Sequence, residues 1–93
     1  MDKESRIGFQ KIYIDKMVDY LPLLRAASKL TQNQLAKKIG ITRGTIVAIE
    51  SGKRPLQWYM YLAMIAVFKE NTDSEKALKN YEVHNQDFIN SIE

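Results

Sequence analysis

Between Thr31 and Gly52 the chain holds two helix-length segments joined by a turn of very few residues, and no other stretch restricts the fold as much. Thr31 is followed three residues later by Gln34, the reciprocal capping pair that opens a helix. Leu35, Ala36 and Ile39 supply its apolar stripe, and Gly40 stops it where the backbone must turn left-handed. Two residues further on, Thr42 can cap again. Ile46 and Ile49 then recur at i, i+3, and this second helix runs to about Glu50, before Ser51 and Gly52. Helices joined so tightly must cross closely, which calls for a small residue facing the partner and an apolar plug after the turn. Ala36 and Ile41 meet those needs, and Leu35 anchors the first helix. Ile46 and Ile49 form the back of the second helix, so its front is left free.

The remainder reads as further helix. The 93 residues make one domain with room for one core. With 45% apolar residues, four Gly and two Pro, the chain is globular and helical rather than disordered. The spacing of Met17, Val18, Leu21, Leu24 and Ala27 predicts a first helix to about Ser28. Pro22 places its start near Asp19, as N-cap, so that the proline falls in the first turn. Residues 9–18 admit an extra turn, a short strand or an arm. Lys53-Arg54-Pro55 is a basic loop ending in a residue suited to a helix start. Leu56 to Phe68 is apolar nearly all round, so more than one face must be covered. After a polar break, a last helix from about Ser74 to Ile92, capped by Asp73 or Ser74, puts Leu78, Tyr81, Phe88 and Ile92 on one stripe. The expected fold is all-α, with about five helices. Residues 1–18 are expected as an arm or extension, 19–70 as the central domain, and 71–93 as a C-terminal helix for packing or dimerisation.

Composition narrows the function. There is no cysteine, hence no disulfide, thiolate metal site or cysteine nucleophile, and the single His84 cannot build a histidine-rich metal site. No paired carboxylates, Ser/His/Asp grouping or Gly-rich nucleotide loop is visible, so the chain is not expected to be an enzyme or to hold a cofactor. No signal peptide or membrane-length apolar run is readable, and the expected location is the cytoplasm. The net charge of +3 conceals an asymmetry. Residues 1–54 carry eleven basic and five acidic residues, residues 55–93 three and six. Residues 29–54 carry six basic residues and a single acid, Glu50. Such a segment is either a footprint for a polyanion or an unevenly charged solvated surface.

Two short helices with glycine in the turn make a helix-turn-helix. The run Leu30-Thr-Gln-Asn-Gln-Leu-Ala-Lys-Lys-Ile-Gly-Ile-Thr-Arg-Gly-Thr-Ile-Val-Ala-Ile-Glu-Ser-Gly-Lys-Arg-Pro55 resembles the Cro/repressor-type helix-turn-helix proteins, also called the XRE family. The similarity reaches back to Leu24-Arg25 and on to Phe68. The resemblance implies a compact bundle of about five helices, a lambda-repressor-like DNA-binding domain, with the helix at Thr42–Glu50 laid in the major groove. It implies base contacts from Arg43, Thr45, Val47 and Ala48. A guanidinium at Arg43 can pair bidentately with guanine, and Val47 or Ala48 can touch a thymine methyl. It implies phosphate contacts from Thr31 and Gln32, where free N–H groups and the helix dipole attract an anion, and from Ser51, Lys53 and Arg54. Gly44 departs from the long polar side chain, often glutamine, of many relatives. Glu50 is expected to pair within the domain, Gln34 to serve as cap partner, and Trp58 to join the core.

The function expected from the resemblance is sequence-specific binding of double-stranded DNA by a transcriptional regulator, a repressor acting on a palindromic operator. A homodimer through the last two helices would read two half-sites about 34 Å apart. The alternative is a protein-interaction module, such as an antitoxin that binds a toxin through residues 56–93.

Overall fold

The computed structural model describes residues 2–84, and within them the fold is all-α. Five helices follow in order: α1 (Lys3–Ser28), α2 (Gln32–Ile39), α3 (Arg43–Glu50), α4 (Trp58–Phe68) and α5 (Thr72–Asn80). No strand occurs among the described residues.

The first helix differs from expectation. It begins at Lys3, not near Asp19, and Pro22 lies in its interior. Asp2 is the N-cap, its carboxylate accepting from Ser5 N at 2.8 Å, a bond that holds the carboxyl below its ordinary pKa. Asp19 is an exposed mid-helix residue. Packing explains why the helix runs through the proline. Met17, Leu21 and Leu24 fall on one face and are fully buried, with Tyr13, Ile14 and Val18 packed against the same core. Burying such side chains contributes about 1.5–3 kcal/mol each, against about 3 kcal/mol for one interior proline. The ring of Pro22 itself points to solvent.

The two short helices form as the sequence predicts. Thr31 and Gln34 cap reciprocally, with Gln34 N donating to Thr31 Oγ1 at 3.1 Å and Thr31 N to Gln34 Oε1 at 2.9 Å. Gly40 takes φ 79°, a left-handed conformation that an L side chain resists. Ile41 N then donates to Ala36 O at 2.9 Å. Thr42 caps α3 by accepting from Thr45 N at 3.2 Å.

The C-terminal half departs in three places. α4 starts at Trp58 behind N-cap Gln57, so Pro55 lies in the loop and not in the first turn. α5 is capped by Asn71, whose side chain accepts from Asp73 N at 2.8 Å and Ser74 N at 3.3 Å. Ser74, expected as a cap, is instead buried, its hydroxyl donating to Phe68 O at 2.6 Å and tying α5 to the end of α4. The helix ends at Asn80 rather than continuing to Ile92, and Glu82 turns left-handed at φ 56°. Phe88 and Ile92 lie outside the described residues.

One core joins the elements. Leu35, Ala36, Ile46 and Ile49 from α2 and α3 meet Met17, Leu21 and Leu24 of α1 and Met60, Tyr61, Met64 and Phe68 of α4. Tyr61 donates its hydroxyl to Val83 O at 2.6 Å, and Tyr81 stacks on Tyr20 at 4.4 Å. Trp58 is half-buried and stacks on Tyr61 at 4.5 Å. Most of α4's apolar surface is thus covered within the chain, although Tyr59 and Leu62 remain exposed. No helix among the described residues is long and apolar enough to cross a membrane.

Candidate nucleic-acid interface

The candidate interface lies on α2, α3 and the loop that follows. Because Ile46 and Ile49 are fully buried, the opposite side of α3 faces outward. Arg43, Gly44 and Val47 are exposed there, while Thr45 and Ala48 are half-buried at its margin. Thr31 and Gln32 stand at the start of α2, exposed and half-buried respectively. Ser51, Lys53 and Arg54 are exposed in the α3–α4 loop.

One carbonyl gathers three of the loop's hydrogen bonds. Ala48 O accepts from Lys53 N at 2.9 Å, Arg54 N at 3.2 Å and Ser51 Oγ at 3.1 Å. The backbone carrying Lys53 and Arg54 is therefore folded back onto α3. Arg54 Nη1 donates to Thr45 Oγ1 at 3.4 Å, and Thr45 Oγ1 also pairs with Thr42 Oγ1 at 3.0 Å. Thr45 is thus occupied by internal partners.

A chain of polar contacts stands behind Arg43. Its Nη2 donates to Gln32 Oε1 at 3.4 Å. Gln32 Nε2 in turn donates to Glu50 Oε2 at 2.8 Å. Glu50 is gripped by Arg25, Nε to Oε1 at 2.7 Å and Nη2 to Oε2 at 3.3 Å, with Arg25 Nη1 also on Leu30 O at 3.3 Å. Glu50 pairs within the domain, as the resemblance implies. The identity of its partners was not legible, because Arg25 is 25 residues away and Gln32 18. One signal did point there: a lone acid in a segment of six bases must find cations. Gln32 emerges as a link between the ion pair and the exposed arginine, a role sequence reasoning missed.

The surrounding charge is basic but partly answered. Lys37 and Lys38 are exposed on α2, and Lys38 meets Glu70 at 3.1 Å. Among the described residues no group of three His, Cys, Asp or Glu side chains could hold a metal ion.

Comparison with known proteins agrees with this geometry. Residues 23–57 match the helix-turn-helix family model. The chain is also 54% identical, over 37 residues, to an uncharacterized HTH-type transcriptional regulator of Methanocaldococcus jannaschii. That alignment covers 40% of this chain and 56% of the relative, so the chain spans little more than half of the relative's length. No solved structure matches the chain.

Proposed function

We propose that this chain, whose residues 23–57 form a helix-turn-helix of the Cro/repressor type, binds double-stranded DNA and regulates transcription, with α3 in the major groove. The observation that carries the reading is the division of α3. One side is locked into the core by Ile46 and Ile49, and the other presents Arg43 and Val47 beside a basic loop.

In this reading Arg43 reads a guanine edge. Gln32, steadied by Glu50, aims the guanidinium, which makes it a positioning residue first and a phosphate contact second. Lys53, Arg54, Ser51 and Thr31 hold phosphate. Val47 and Ala48 give apolar contact, and Thr45 contributes through the Arg54 side chain it holds. A single α3 offers few contacts, so two copies reading a palindromic operator give the stronger complex. The exposed Tyr59 and Leu62 of α4 are available to such a pairing. The regulator acts as a repressor by occluding a promoter.

Selection of bound sequences from random duplex DNA, repeated across a salt series, tests the reading. Arg43→Ala relaxes preference at one position per half-site and costs about 1–3 kcal/mol there. Lys53→Ala weakens binding to all sequences alike and lowers the salt slope by about one unit. Silence of both variants refutes the contact assignment, and the absence of any selected sequence refutes DNA recognition.

A further inference from the structure

Helix α3 carries a glycine that the fold does not use. Gly44 follows Arg43 at the second helical position, and its φ is not in the left-handed range that Gly40 and Gly52 occupy. A methyl group added at Gly44 would meet nothing nearer than Thr42 Oγ1 at 3.8 Å, an ordinary contact. Glycine inside a helix lowers stability through chain entropy, and alanine would fit. Packing within the chain therefore gives no reason for the missing side chain.

The outer surface does. Gly44 and Val47 are three residues apart and share the exposed front of α3, with Ala48 at its margin. Arg43 stands on one side. On the other, Arg54 is held on Thr45 Oγ1 at 3.4 Å. The result is a shallow apolar floor between two guanidinium arms, built from residues with no side-chain donor or acceptor. A duplex major groove offers one matching group, the C5-methyl of thymine.

Resting on the DNA-binding reading above, we propose that Gly44 makes room for a thymine methyl, which seats on Gly44 and Val47 beside the base that Arg43 contacts. A side chain at position 44 would occupy the volume that the thymine methyl takes. Specificity here comes from shape, in a helix with few polar side chains to read with.

The test pairs a methyl on the protein with a methyl on the DNA. Wild-type protein is used to select a preferred duplex, and each thymine of a half-site is then replaced singly by uracil. Loss of the critical methyl weakens wild-type binding about fourfold, the worth of one buried methyl group. Gly44→Ala binds the thymine duplex at least about fivefold more weakly, as one ill-fitting methyl costs a packed surface. On the duplex with uracil at that one position, Gly44→Ala recovers to within about twofold of wild type on the same DNA, because its own methyl fills the gap. Its melting temperature meanwhile rises by about 2–4 °C, so a folding defect is not the cause. Gly8→Ala on α1, where nothing lies within 4 Å of an added methyl, leaves DNA binding unchanged. Gly44→Ala binding the thymine duplex as wild type does overturns the inference while leaving DNA recognition intact. So does a penalty that persists on every uracil duplex. Failure of the wild-type protein to select any sequence removes the DNA-binding reading, and this inference with it.

Discussion

Glu50→Ala is the perturbation with the largest effect to be expected from one exchange at the interface. The Arg25 and Glu50 side chains are only 18% and 10% exposed, with N···O at 2.7 Å. A fully exposed pair contributes at most about 1 kcal/mol. Breaking a buried pair costs about 3–5 kcal/mol, chiefly because the surviving charge stays behind without its counter-ion. Arg25 retains Leu30 O at 3.3 Å, and its partial exposure admits some water, which reduces the loss. Gln32 Nε2 loses its acceptor as well. The net cost is about 2–4 kcal/mol, which in a domain of this size lowers the melting temperature by about 10–25 °C. Thermal and urea denaturation followed by circular dichroism measures it. Raising the salt should change the loss little, since a sheltered pair is weakly screened. The mechanism has a sharper signature in Arg25→Met/Glu50→Met. Removing both charges should cost less than removing Glu50 alone, because no unpaired ion is left. A Glu50→Ala protein melting within about 3 °C of wild type, or a double variant no more stable than Glu50→Ala, refutes the argument.

Two further outcomes follow from the fold. Burial, reinforced by neighbouring Tyr13, raises the Tyr61 pKa above its ordinary value of 10, so the folded protein keeps the proton that the unfolded chain releases. The stability this group contributes is complete below about pH 10 and is lost as pH rises beyond it. Tyr61→Phe, which also forfeits the 2.6 Å bond to Val83 O at about 1–2 kcal/mol, should therefore lose stability less steeply than wild type in alkaline denaturation; parallel curves above pH 10 count against it. Pro22→Ala restores a helix donor at a solvent-facing position of α1. After the loss of proline's restraint on the unfolded chain it should stabilise by about 1–2 kcal/mol, read as a higher urea midpoint, and a lower midpoint refutes the interior assignment.

What the sequence disclosed divides along the range of the forces involved. The α2–α3 unit was legible because its boundaries are set by neighbours in the chain: Thr31 with Gln34, Gly40 with its φ of 79°, Thr42 with Thr45. Each is a bond or a backbone preference spanning four residues or fewer. The start of α1 was not legible, because local chemistry at Asp19 and Pro22 favours a helix start there. That preference is overridden by packing between α1 and the C-terminal segment, seen in the Tyr20–Tyr81 stack and the Lys16–Glu82 contact at 3.3 Å. Both pair residues more than sixty positions apart, and periodicity carries no such information. The cap of α5 failed for a related reason. Ser74 is a good cap by type, but its hydroxyl is drawn to the Phe68 carbonyl once α4 and α5 meet, and Asn71 takes the end of the helix.

The same division governs how the interface is held. Arg43, Val47 and Lys53 are exposed, so on the DNA-binding function proposed above exchanging them should alter binding while leaving stability nearly unchanged. Gln32 and Glu50 are different. They join the exposed arginine to an ion pair that spans α1 and α3, so the aim of Arg43 depends on contacts that also hold the helices together. Gln32→Leu removes the link without unpairing Arg25 from Glu50. Its effect should fall on base preference at the Arg43 position more than on melting temperature, whereas Glu50→Ala should lower both. The two variants therefore separate orientation from cohesion, because each breaks a different contact in the same chain.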